Sequence, residues 1–172
     1  MSDQNLSILI GIIGTLLGTL LGWILNSINH IGKLKFYISQ WNEEIMKIDE
    51  IGNSVECNPD QSEWYNYKII LDIYNKSDIP KIMRDINIRF VENQNVLYKE
   101  VPDDDKTKRF SAAQAWYDKV EPLTIQPKTI QQVVLRSSVD TRKNKSLFAY
   151  NSIWLVYNDN RNISRRILIY KR

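Results

Sequence analysis

Few side chains in this sequence are of the kinds, and at the spacings, that do chemistry. The densest acidic run is Asp103-Asp104-Asp105. Adjacent carboxylates can hold Ca²⁺ loosely, but this run lacks the alternate ligand spacing and the glycine of an EF-hand loop. A solvated acidic loop over residues 102–106 is the plainer reading. The single histidine, His30, has no neighbouring Cys, His or carboxylate cluster of metal-site spacing. No glycine follows Gly52, which leaves no phosphate-cradling loop, and there is no G-x-S-x-G elbow. The pattern points away from an enzyme and from a bound metal or cofactor.

The basic side chains are more informative. Arg161, Arg165, Arg166, Lys171 and Arg172 crowd the C-terminal segment, Arg142, Lys143 and Lys145 form a second group, and Lys33 and Lys35 a third. Such groups contact anionic lipid or nucleic-acid phosphate, or simply protect an edge strand by charge. The net charge is only +3, and no aromatic stripe accompanies the basic groups, which argues against nucleic acid. The contact residues to carry forward are Lys33, Lys35, Arg161, Arg165, Arg166, Lys171 and Arg172, for lipid or for a protein partner.

The elements that position these groups begin with an apolar run. Residues 6–25 carry no charge and would span roughly 30 Å as a helix, the thickness of a bilayer core. This predicts a transmembrane helix over residues 6–28, with residues 1–5 as a short outside tail. The tail carries only Asp3, whereas Lys33 and Lys35 follow the run. The positive-inside rule then places the C-terminal side in the cytoplasm of a bacterial inner-membrane protein. The lone Cys57 permits no intrachain disulfide, in keeping with that side. Gly14, Gly18 and Gly22 recur every four residues, with Gly11 one turn before them. Glycines on one helix face let another helix approach closely, so self-association or a partner membrane helix is the expected use. Thr15 and Thr19 flank that ridge, placed for hydrogen bonds across it.

In residues 30–51 the apolar positions Ile31, Leu34, Ile38, Trp41, Ile45 and Ile48 alternate three and four apart. This spacing predicts an amphipathic connector helix. It would pack on the following domain, form an oligomeric stalk, or lie on the membrane. Residues 52–63 read as a linker. From residue 64 the period changes to two: Tyr65, Tyr67, Ile69, Leu71 and Ile73 line one face of a strand. About seven short strands follow, at the scale of an immunoglobulin-like antiparallel β-sandwich over residues 64–172, expected to fold alone.

The order of short membrane helix, connector, aromatic-alternating strand, Asn75-Lys76-Ser77 turn and Ile79-Pro80 is similar to small uncharacterised single-pass proteins of Gram-positive bacteria and their phages. Residues 67–90 carry most of that similarity. It implies a bacterial inner-membrane protein and brings no activity with it. The reading that follows is a membrane-anchored, non-enzymatic interaction module presenting a β-sandwich at the cytoplasmic face. The alternative is a membrane-active effector, of toxin or phage-defence type, that oligomerises through its glycine ridge.

Overall fold

The structure is a computed structural model that describes residues 3–30, 32–111 and 114–172. Helix α1 (Asp3–His30) is followed by twelve strands: β1 (Leu34–Ile48), β2 (Ser54–Glu56), β3 (Trp64–Asn75), β4 (Lys81–Glu92), β5 (Asn95–Glu100), β6 (Asp103–Asp104), β7 (Arg109–Ser111), β8 (Gln114–Trp116), β9 (Leu123–Ile125), β10 (Ile130–Asp140), β11 (Ser152–Asn158) and β12 (Ser164–Lys171). One sheet has the order β2-β1-β3-β10-β6, the other β12-β11-β4-β5 with β9 added to β4. Every pairing is antiparallel. The core lies between them. Tyr65, Tyr67, Ile69, Leu71 and Ile73 of β3 meet Met83, Ile88 and Phe90 of β4, and Ile153 and Leu155 of β11. Tyr65, Phe90 and Tyr150 contact one another edge-on, with centroids 5.4–6.5 Å apart. Such pairs add roughly 0.5–1.5 kcal/mol each beyond their area burial.

Helix α1 is long and apolar enough to cross a membrane. Its window Ile10–Ser27 has a mean hydropathy of 1.6, and none of it is buried. Apart from the adjoining residues and the helix's own backbone, no atom lies within 4 Å of a Cβ built on Gly11, Gly14, Gly18 or Gly22. The Thr15 hydroxyl donates to the Gly11 carbonyl at 2.9 Å, and that of Thr19 to the Thr15 and Leu16 carbonyls. Both threonines therefore spend their donors inside the helix rather than reaching across the ridge.

The connector helix expected over residues 30–51 is instead a strand. The helix ends at His30, and β1 pairs with β3 from Leu34↔Asn75 to Met46↔Trp64. Two features disguised its alternation. A bulge interrupts the register between Ile38 and Gln40. An inserted residue flips every later side chain to the opposite face. The inward set is therefore Leu34 and Phe36 before the bulge, then Trp41, Glu43 and Ile45 after it. Glu43 also places a charge at an inward position. Its Oε2 accepts hydrogen bonds from Tyr65 Oη at 2.5 Å and Tyr150 Oη at 2.7 Å. Phe36, Trp41 and Ile45 pack against the buried cluster, with Trp41 stacked between Tyr67 and Tyr170 at 5.5 and 5.9 Å. Residues 52–63, read as a linker, hold β2 and a 3₁₀ turn at Pro59–Gln61, and are tied back to β1 by Cys57 N–H to Ile45 O and Glu63 N–H to Met46 O.

The acidic run also differs from its expected form. Asp103 and Asp104 pair with Arg136 and Leu135 as β6. Asp103 meets Lys119 at 2.8 Å, and Asp105 meets Arg136 at 3.3 Å and Lys68 at 3.7 Å. These carboxylates pin an edge strand to neighbouring cations. Between this run and Lys119, β7 and β8 pair as a hairpin; Ala112 and Ala113 lie outside the described residues.

Candidate functional site

Where the chain leaves α1, it enters the sandwich within a few residues. Gly32 packs so closely on the Asn75-Lys76-Ser77 turn that a Cβ would stand 2.6 Å from Ser77 backbone atoms, so only glycine fits. The turn itself is rigid. Asn75 is fully buried, and its side-chain amide donates to the carbonyls of Ile79 at 2.8 Å and Ile125 at 2.9 Å. Its Oδ1 accepts from the backbone and hydroxyl of Ser77. The sequence motif Asn-Lys-Ser is thus the knuckle on which the domain's entry strand rests.

Beside this knuckle the two sheets part to form a cavity of about 320 Å³. Its cationic lining is Lys33, Lys81, Arg161, Arg165 and Arg166, from the entry segment, β4, the β11–β12 turn and β12. Its apolar lining is Leu34 and Phe36 of β1, Ile82 of β4, Tyr157 of β11 and Ile167 of β12. Phe36 and Tyr157 lie 5.6 Å apart, ring to ring. Asp159 is the one carboxylate among the lining residues, and it is occupied. It accepts from the backbone N–H of Arg161 and Ile163 and from Arg165 Nε at 3.0 Å. Burial pushes the Asp159 carboxyl up, but those backbone donors and Arg165 together hold it below the ordinary value. The Arg161–Asn162 turn is closed by Asn162 at φ 59°, a left-handed conformation that asparagine tolerates. Asn160 Oδ1 fastens the turn to β4 by accepting from Ile82 N–H at 2.7 Å. Arg166 lies over the Trp154 ring at 5.1 Å.

The lining carries an excess of four positive charges on an apolar floor. That combination recognises an anion with an apolar part. Burial raises the Tyr157 hydroxyl to about 12. Among the described residues, no three His, Cys, Asp or Glu side chains gather as a metal site.

Of the expected contact residues, Lys33, Arg161, Arg165 and Arg166 come together here. Lys35, Lys171 and Arg172 do not line the cavity. Lys35 pairs opposite Tyr74 on the outer sheet edge, Lys171 opposite Ser152, and Arg172 lies over Tyr150 while donating to the Phe148 carbonyl. Lys81 and the apolar floor were missed by the sequence reading. Lys81 stands alone in sequence after Pro80, and it joins Arg161 only as a lining residue of the folded cavity.

A second polar cluster lies inside the sandwich. Glu100 of β5 accepts from the Ser137 hydroxyl at 2.7 Å, and the Tyr67 hydroxyl lies near it without a hydrogen bond of ordinary geometry. Burial raises the Glu100 carboxyl above its usual range, against the opposing pull of Ser137 and Tyr67.

Two antiparallel sheets enclosing one core, entered by a bulged strand, define an immunoglobulin-like β-sandwich. Residues 32–170 match the family described as YopI Ig-like domain, and the chain belongs to that family. The match starts at Gly32 and includes β1. The chain is also 30% identical to the SPbeta prophage-derived uncharacterized protein YopI of Bacillus subtilis (strain 168), over 87% of this chain and 86% of that protein. This supports a phage-derived lineage. Among solved structures, a protein from Archaeoglobus fulgidus aligns with a TM-score of 0.36 at 7% identity, covering 79% of this chain and 98% of that one. The putative ApaA protein from Bordetella pertussis aligns with a TM-score of 0.37 at 8% identity, covering 83% and 94%. Similarity that low adds nothing to the family assignment.

Proposed function

We propose that this chain is a membrane-anchored, non-enzymatic interaction module that holds its Ig-like sandwich against the cytoplasmic face of a bacterial membrane. The observation that carries this reading is the short join. His30 and Leu34 are the last residue of α1 and the first of β1. Four residue steps span at most about 14 Å. A sandwich joined so closely cannot leave the surface that the helix crosses. Its near end is the basic one, which suits an anionic inner leaflet. Lys33 and Lys35, set against Asp3, give the orientation.

The test is made on intact cells expressing the full chain. The protein should remain with membranes through an alkaline carbonate wash. Cys57, half-buried beside β2, should react with a membrane-impermeant maleimide only after lysis. Release by carbonate would remove the anchor, and labelling before lysis would reverse the topology.

A second reading, the membrane-active effector, is favoured by one feature. The helix face carrying Gly14, Gly18 and Gly22 is left unfilled by the chain itself. A second copy would fit there backbone to backbone. Depolarisation on expression that is abolished by Gly18→Leu would select this reading; an intact membrane potential selects the first.

A further inference from the structure

We infer that the cavity beside Gly32 is a binding site for the phosphate-bearing headgroup of an anionic phospholipid drawn from the membrane that α1 crosses. This rests on the anchored reading above and names the ligand of its basic end.

Three observations converge. The first is charge: five cationic residues from four separate segments line one cavity, and its single carboxylate is already bonded to Arg165 and to backbone N–H groups. An edge strand protected by charge needs no such convergence, because its cations face solvent separately. Guanidinium groups supply paired donors that match phosphate oxygens, and three of the five are Arg. The second is the floor. Leu34, Phe36, Ile82 and Ile167 are only half-buried, leaving apolar surface open inside the cavity. Inorganic phosphate would cover none of it, whereas the glycerol and upper acyl carbons of a lipid would. The third is place. Gly32 and Lys33 are lining residues, and α1 ends at His30. The cavity therefore lies within a few residues of the membrane surface, where the local concentration of anionic headgroups is high. The Asn160 link to Ile82 and the Asn75 knuckle hold both walls in place before any ligand arrives.

The test uses the full chain in a neutral detergent, so that lipid retention is read apart from membrane location. Native mass spectrometry counts phosphatidylglycerol or phosphatidylcholine of the same acyl chains retained after titration, with glycerol 1-phosphate as the soluble arm. Phosphatidylglycerol should be retained in preference to phosphatidylcholine. The triple variant Lys33→Gln/Arg161→Gln/Arg166→Gln should weaken that retention by more than about tenfold, as expected for three basic side chains acting on one anionic headgroup. Lys99→Gln/Lys143→Gln/Lys145→Gln removes the same charge elsewhere and should retain lipid like the parent. Ile82→Trp fills the cavity at unchanged charge and should also weaken retention. Equal losses in both triple variants, or equal retention of the two lipids, would overturn the site. Binding of glycerol 1-phosphate as tight as that of phosphatidylglycerol would overturn the lipid source. A chain that retains phosphatidylglycerol in detergent yet washes off membranes would refute the anchor and leave the cavity's preference standing.

Discussion

The two halves of β1, on either side of the bulge at Ser39, do different work. The half beyond the bulge builds the core. Trp41 is stacked between two tyrosines from opposite sheets, and Glu43 gathers the hydroxyls of Tyr65 and Tyr150. The half before it is buried to the same degree and also packs on the core, Phe36 against Tyr157, but Leu34 and Phe36 share their surroundings with the cationic lining of the cavity. One strand therefore carries stability at one end and a surface for recognition at the other. The bulge allows this, because it lets each half choose its own inward face. Phe36 lines the cavity and Trp41 packs in the aromatic core, although they lie five positions apart in a strand whose undisturbed period is two.

The largest effect that would break this contrast is removal of the strand. Residues 64–172 were expected to fold alone, but without β1 they lose the acceptor for two tyrosine hydroxyls and the ring that joins the sheets. That fragment should show no cooperative denaturation, while residues 32–172 should unfold in a single transition. A cooperative 64–172 fragment would make β1 an accessory.

Next in size is Glu43→Leu. It removes the acceptor of both the Tyr65 and the Tyr150 hydroxyl, which are left with only each other at 3.3 Å. The cost should be about 2–3 kcal/mol by urea denaturation of the 32–172 fragment. Glu43→Gln keeps an accepting oxygen and should lose about half as much. Phe36→Ala, in the outer half, should cost less than Glu43→Leu, about 1–2 kcal/mol, since its ring is half-buried and faces an open cavity. If Phe36→Ala is the more damaging change, the division of labour along β1 is wrong.

The smallest effect concerns the other buried carboxylate. Glu100 has one hydroxyl donor where Glu43 has two, and its Oε1 is unpaired. Burial raises its pKa, so between the unfolded and the raised folded value the folded state binds more protons than the unfolded state. The stability it confers is present below its unfolded value and is lost as pH rises through the raised folded value. Glu100→Gln should therefore be slightly more stable than the parent at neutral pH. That advantage should shrink as pH falls toward the ordinary carboxylate range. An advantage that grows on acidification would contradict the assignment.

The sandwich was legible where strands alternate without interruption. In β3 every second side chain from Tyr65 to Ile73 is buried, as its sequence pattern states. The turn between β11 and β12 runs through Asn158-Asp159-Asn160-Arg161-Asn162, where Asn162 takes a positive φ that asparagine tolerates. β1 was illegible because the bulge converts two period-two halves into an apparent three-four spacing, and because Glu43 reads as surface. β6 was illegible because its two residues are both aspartates, held by register and by cations that come from distant strands. Of the site, the Arg161–Arg166 group and Lys33 were visible as charge clusters. Their convergence was not, since it depends on β4 and on the Asn160 anchor, which no local spacing announces. The length and apolarity of α1 were read directly from composition.

The central claim is that the cavity end of the sandwich faces the membrane. In β10, Ile130 pairs with Tyr74 at the helix end, and Asp140 pairs with Trp64 at the other. At about 3.3 Å per residue the two ends are roughly 35 Å apart. In a Cys57→Ser background, one donor fluorophore is placed at Gln126→Cys, near the Asn75 knuckle, and another at Lys143→Cys, beyond the far end of β10. Energy transfer from each to headgroup-labelled acceptor lipid is measured with the full chain reconstituted in bilayers. Transfer should be strong from position 126 and weak from position 143. Equal transfer, or stronger transfer from position 143, would contradict it.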